Sequence, residues 1–235
     1  MKQTLKLPER LATVAGYIEK GASVADIGTD HGFIPVFLAQ NGLARRIIAS
    51  DISAASLETA RATAGKYGAM DKVEFIAAPG LTGIGESDVD TVVISGLGGE
   101  TIAGIIRDAP WTRRGDIRLV LQPQSKIDEL CRYLRLCGYT LIAAKLARDS
   151  GRLYIVMLVR GGNSDSGLEP ELELLTCLMQ SGDPLLTDYF DELIAKTRLA
   201  LEGMKGSGSP EVLDMALKLS VYISMKEVHD NANRK

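Results

Sequence analysis

Residues 22–35, Ala-Ser-Val-Ala-Asp-Ile-Gly-Thr-Asp-His-Gly-Phe-Ile-Pro, decide how the rest of the chain is read. An apolar run through Val24 ends on Asp26-Ile27-Gly28-Thr29-Asp30, and a helical pattern runs from Gly32 to Gln40. Strand, glycine turn and helix in that order open an open α/β sheet, whose ligands bind at the carboxyl ends of the strands. The turn carries acid on both sides of its glycine. Asp26 and Asp30 would repel the pyrophosphate that a dinucleotide turn receives on backbone N–H groups. They suit a cation, an amine and hydroxyl donors instead. S-adenosylmethionine offers all three: a sulfonium, an α-amino group and ribose hydroxyls.

Working outward, the pattern predicts a helix over 5–19 and strands at 22–27, 46–51, 72–77, 91–94 and 117–121. Helices are expected at 32–40, 53–68, 101–108 and 125–136, with Ser53 and Ser125 as cap candidates. Asp51, 25 residues after Asp26, closes the second strand, where a carboxylate can accept both hydroxyls of a ribose. Ser95-Gly96-Leu97-Gly98-Gly99-Glu100 follows the fourth strand as a loop that lets backbone approach a ligand. Strands at 140–147 and 153–159 flank Arg148-Asp149-Ser150-Gly151, a hairpin turn. Five βα units closed by an antiparallel pair match the class I methyltransferase variant of the Rossmann-like doubly wound sheet.

Two domains are expected, a methyltransferase domain over 1–161 and a C-terminal helical domain over 162–235. Residues 161–167, Gly-Gly-Asn-Ser-Asp-Ser-Gly, read as a linker, and Gly206-Ser207-Gly208-Ser209-Pro210 divides the last two of three helices, 168–180, 184–204 and 210–229. Leu186, Phe190, Leu193, Ile194, Thr197 and Leu201 line one face. Val212, Met215, Leu219, Tyr222 and Met225 line another, giving a coiled-coil-like antiparallel pair.

The 235 residues are 46% hydrophobic, yet no run approaches the roughly 20 apolar residues of a membrane span, and no apolar signal core opens the chain. A cytoplasmic protein is expected. Cys131, Cys137 and Cys177 are odd in number and widely spaced, which fits reduced thiols rather than a disulfide framework or a metal site. Net charge is +3 over residues 1–160 and −6 over 161–235. Arg45-Arg46, Arg113-Arg114 with Arg118, Arg132 with Arg135, and Lys145, Arg148 and Arg152 read either as a solvated surface or as a phosphate-facing rim.

Leu7-Pro8-Glu9-Arg10-Leu11, the 26–35 turn, Ser95-Gly96-Leu97-Gly98-Gly99 and Leu121-Gln122-Pro123-Gln124 together resemble the TrmK family, bacterial tRNA methyltransferases acting on N1 of adenine 22. The likeness spans the whole chain. It implies S-adenosylmethionine as donor and tRNA as partner, with neither membrane nor metal. It implies a cofactor lined by Asp26, Gly28, Asp30, His31, Asp51, Ile52, Gly80, Leu81, Gly96 and Gly98, with Asp30 as the catalytic carboxylate. Arg10, Phe33, Gly99, Gln122 and Pro123 would face the substrate, and the C-terminal hairpin would help hold tRNA. Two positions depart from the family pattern: Phe33 replaces a common Tyr, and Pro79 stands where Asp or Asn usually meets the adenine ring. The rival readings are a small-molecule methyltransferase and a non-catalytic cofactor-binding adaptor. The missing Gly-x-Gly-x-x-Gly and the two acids disfavour a nicotinamide enzyme.

Overall fold

The computed structural model describes residues 3–163, 166–204 and 210–232. Two compact units divide it, Met1–Ser181 and Gly182–Lys235. In the first, α1 (Glu9–Ala15) precedes β1 (Ala22–Ile27), α2 (Phe33–Asn41), β2 (Ala44–Asp51), α3 (Ala54–Lys66) and β3 (Glu74–Ala77). Then come β4 (Thr91–Leu97), α4 (Gly99–Arg107), β5 (Arg118–Pro123), α5 (Ile127–Leu136), the hairpin β6 (Tyr139–Asp149) and β7 (Arg152–Gly161), and α6 (Pro170–Gln180).

The seven strands lie in the order β3-β2-β1-β4-β5-β7-β6. The first five are parallel; β7 runs antiparallel to both β5 and β6. Every residue of β1 is buried, as a central strand covered on both faces requires. The core gathers Val24, Ile47, Val93 and Val120 from the strands with Leu38 and Val36 from α2. Chain order reverses between β1 and β4, so a crevice opens at the carboxyl ends of these two strands. Register brings the ends level: Ile27 pairs with Ser50 on one side and Ile94 on the other, and Ser95 pairs with Gln122.

Several boundaries differ from expectation for local reasons. The helix expected over 5–19 is α1 alone. Pro8 is extended at ψ 152° and acts as its N-cap, and Leu5 instead donates its N–H to Gln40 Oε1 at 3.0 Å. Ser53 caps α3 by accepting the Ser56 N–H at 3.2 Å. Ser125 does not cap α5; Lys126 holds that position at φ 56° with no side-chain bond. There is no fifth βα unit, since β3 passes to β4 through turns without a helix. The loop expected after residue 94 is partly strand, because β4 continues to Leu97 beside β5. The hairpin turn tightens to Ser150 and Gly151, at φ 49° and 78°, the two positive angles that a two-residue turn between twisted strands demands.

The second unit holds α7 (Leu186–Gly203) and α8 (Pro210–Ala232). Thr187 near the start of α7 donates to Asp230 near the end of α8 at 3.1 Å, and Lys226 pairs with Asp191 at 2.9 Å, so the helices are antiparallel. Every expected seam residue on both helices is buried or half-buried. Part of the expected linker, 164–165, and most of the expected divider, 206–209, lie outside the described residues.

Candidate active site at the carboxyl ends of β1, β2 and β4

A cavity of about 700 Å³ occupies the crevice. Its floor is the 26–31 turn, and the turn is held to the neighbouring strand by backbone. Gly28 and Thr29 both donate N–H bonds to the Ser50 carbonyl, at 2.8 and 3.0 Å. Asp51 then binds in two directions: Oδ1 accepts the Ser53 N–H at 2.8 Å and Oδ2 accepts the Asp30 N–H at 3.1 Å. One carboxylate thus ties the start of α3 to the turn after β1. Gly28 and Gly96, at φ 69° and 85°, adopt the left-handed conformation at the ends of the two central strands, where a side chain would be strained and would fill the crevice.

Asp26 is 4% exposed and accepts the Thr29 hydroxyl at 2.7 Å. Burial pushes its carboxyl up to about 7; the Thr29 bond pulls against this and the charge of Asp51 adds to it. A cation placed there would relieve both penalties at once. Asp30 is exposed and takes φ 48°, a conformation that aspartate tolerates better than most residues and that is often stored at functional turns. Its Oδ2 lies 3.5 Å from His31 Nε2, and the His31 ring stacks on Phe33 at 5.3 Å.

Ten of the expected site residues line the cavity together: Arg10, Asp26, Gly28, Asp30, His31, Phe33, Asp51, Ile52, Gly80 and Gly96. Five do not. Leu81 is 6% exposed and belongs to the core. Gly98 caps α4, and Gly99 packs so closely on the loop before α5 that a Cβ would stand 2.3 Å from the Lys126 carbonyl oxygen. Gln122 is fully buried, and Pro123 is a buried strand end beside Leu97. Thr29, Ser95, Gln124, Thr101 and Ile105 were missed and do line the cavity. For Thr29 the signal was present: a hydroxyl three residues after a strand-end Asp, within a turn that folds back on it.

Five of the clustered arginines are engaged in ion pairs. Arg45 pairs with Asp90, Arg46 with Glu74 and Asp88, Arg114 with Glu86 and Asp116, Arg118 with Glu19, and Arg135 with Glu173. Arg45, Arg46 and Arg118 also sit at the amino ends of β2 and β5, the edge of the sheet away from the cavity. Among the described residues, no group of His, Cys, Asp and Glu is arranged to hold a metal ion, and no helix is long and apolar enough to cross a membrane.

A 3-2-1-4-5-7-6 sheet with an acid-lined crevice at its switch point defines a class I methyltransferase. A methyltransferase-domain family matches residues 7–157. The chain is 32% identical over 165 residues to the tRNA (adenine(22)-N(1))-methyltransferase of Bacillus subtilis, covering 70% of this chain and 69% of that one. The crystal structure of the B. subtilis M1A22 tRNA methyltransferase TrmK superposes with a TM-score of 0.77 at 25% identity, covering 96% of this chain and 99% of that one. M. capricolum TrmK, in complex with S-adenosyl-homocysteine, gives 0.78 at 22% identity over 96% and 99% of the two chains. The chain belongs to the TrmK family of tRNA (adenine(22)-N(1))-methyltransferases.

Proposed function

We propose that the protein transfers a methyl group from S-adenosylmethionine to N1 of adenine 22 in tRNA. The observation that carries this reading is the pair of carboxylates, Asp26 and Asp51, in one crevice beside the open glycine turn. The residues fit the donor. Asp26, a buried carboxyl, suits its α-amino group and sulfonium side; Asp51 suits its ribose hydroxyls; Ile52, Gly80 and the cavity left by Gly28 and Gly96 suit its apolar and backbone-facing parts. When bound, S-adenosylmethionine supplies an electrophilic methyl on a positively charged sulfur.

The chain's own contribution is alignment, exclusion of water and charge. Holding two reacting centres in line is worth roughly 7–11 kcal/mol of a barrier. Adenine N1 lies on the pairing edge, so the base must leave its stack to reach the cavity. The His31–Phe33 stack on the cavity wall offers a flat surface for such a base. As N1 gains the methyl, the ring becomes positive. Asp30, at the mouth of the turn, stabilises that charge and accepts a hydrogen bond from the exocyclic amine. Asp51 steadies Asp30 through its backbone N–H rather than its side chain.

The first compact unit extends past the expected boundary at 161 to take in α6; we read it as the transfer domain and α7 with α8 as the part that holds tRNA, in the cytoplasm where tRNA is made and used. The test is transfer of labelled methyl from S-adenosylmethionine to tRNA lacking the modification. Incorporation into tRNA carrying A22, and none when A22 is replaced by G, is expected. Transfer to small molecules alone overturns the reading.

A further inference from the structure

Arg10 is contacted by four strands on the β4–β5 side of the crevice. Its Nη1 donates to Gln122 Oε1 at 2.7 Å and to Ser95 Oγ at 3.3 Å. Its Nε lies 3.8 Å from Asp149 Oδ2, and its guanidinium carbon sits 5.5 Å from the Tyr154 ring centroid. Those partners come from β4, β5 and both strands of the β6–β7 hairpin. The side chain is 21% exposed and lines the cavity beside Gly96, where an added Cβ would stand 3.8 Å from Nη1. Among the described residues Nη2 has no hydrogen-bond partner.

Gln122 is the keystone of this arrangement. It is wholly buried, and its amide is satisfied in one orientation: Nε2 donates to the Pro123 carbonyl at 2.9 Å, while Oε1 accepts from Arg10 at 2.7 Å and, more weakly, from Ser95 Oγ and Gln124 Nε2, both at 3.3 Å. A buried amide fixed at both ends holds a guanidinium in one pose.

We infer that Gln122 is a positioning residue that latches Arg10 so that its free N–H donors meet a phosphate next to the extruded adenine. The inference rests on the function proposed above. A guanidinium has only donors, and its fork matches anionic phosphate oxygens. It cannot serve the ring itself, because the adenine turns positive during transfer and a cation against it would raise the barrier. Arg10 and Asp30 therefore divide the acceptor between them, the cation taking backbone and the anion taking base. Asp149, at 3.8 Å, makes an ion pair without a hydrogen bond and so leaves N–H donors of the guanidinium available to an incoming anion.

The test compares wild type with Arg10→Gln, Arg10→Lys and Gln122→Met. It measures tRNA affinity from low to moderate salt, S-adenosylmethionine affinity by calorimetry, and KM and kcat for tRNA. Losing one phosphate contact flattens the slope of log affinity against log salt by about 0.7–0.9. That flattening is expected in Arg10→Gln. Gln122→Met is expected to raise KM for tRNA about tenfold, the scale of a hydrogen bond to a charged group, with cofactor affinity unchanged. Arg10→Lys keeps the charge but not the fork; it should preserve the salt slope and still raise KM about fivefold. If Gln122→Met does not fold, Arg10→Lys carries the latch alone, and wild-type kinetics in it overturn the latch. An unchanged salt slope in Arg10→Gln overturns the phosphate contact. Wild-type protein that methylates no tRNA overturns the proposed function instead, which separates the two failures.

Discussion

Thr29 Oγ1 lies 2.7 Å from Asp26 Oδ2, a hydrogen bond sealed inside the turn that both residues build. The two are three positions apart, and the bond is the one feature that favours a charged Asp26 against its burial. It makes cofactor affinity depend on pH. Burial holds Asp26 near 7, above the 3.8 of an unperturbed carboxyl, so binding of a cation must drive a proton off. Affinity for S-adenosylmethionine should rise up to tenfold per pH unit from about 5.5 to 7 and level off above that. Thr29→Val removes the bond and should move the midpoint upward by about 1 unit. Calorimetry across this range checks both, and a flat profile contradicts them.

The same shift has the opposite sign for folding stability in the absence of cofactor. The folded form binds a proton at Asp26 that the unfolded chain has lost once pH passes about 3.8. The contribution is full below that value and is lost as pH rises through about 7. Asp26→Asn should therefore flatten part of the fall in melting temperature between pH 5 and 8. Thermal denaturation of both proteins over that range reads the difference.

Asp30 contacts the fold through its backbone, which donates to Asp51, while its side chain stays exposed. Asp30→Ala should accordingly leave S-adenosylmethionine affinity within about threefold and lower kcat by about 10²–10⁴. Equal turnover of mutant and wild type in a labelled methyl assay contradicts the role.

Gly99 is a packing residue by geometry. Its N–H donates to the Ser125 carbonyl at 2.9 Å, and backbone oxygens of Ser125 and Lys126 occupy the space a side chain would need. Gly99→Ala should cost about 1–3 kcal/mol, a fall in melting temperature of roughly 2–4 °C for each kcal/mol. A melting temperature within 1 °C of wild type counts against this.

The helical tail gives a further prediction. The compact unit runs through Ser181 and takes in α6, whose Glu173 pairs with Arg135 of α5. A chain ending at residue 181 should bind S-adenosylmethionine normally and bind tRNA at least tenfold more weakly. Filter binding and calorimetry measure the two, and unchanged tRNA affinity contradicts the prediction.

The sheet was legible because its strands are short apolar runs closed by Asp26, Asp51 and Ser95, and a buried parallel strand writes itself that way. The seam between α7 and α8 was legible for the matching reason, a period near 3.6 over two long helices. The acids of the site were visible as charges ending apolar runs. What sequence did not reveal were contacts made across the fold. Gln122 lies 112 residues from Arg10, and nothing local distinguishes a glutamine that faces substrate from one that is buried and holds an arginine. Gly99 was hidden likewise: a glycine that admits a ligand and one that admits another loop look identical in a row of letters. Which reading of the clustered arginines applies was not legible either, because acidic partners such as Glu74 and Asp88 for Arg46 are brought to them only by the fold.

The central claim is that an acid-lined crevice serves a sulfonium donor and delivers its methyl to a single nucleotide. The direct measurement is to methylate tRNA transcripts with purified protein and S-adenosylmethionine, then locate the product by mass mapping. One methyl on N1 of A22 is predicted, absent from transcripts in which that base is changed. A methyl at another position, or none on tRNA while the protein binds S-adenosylmethionine, contradicts it.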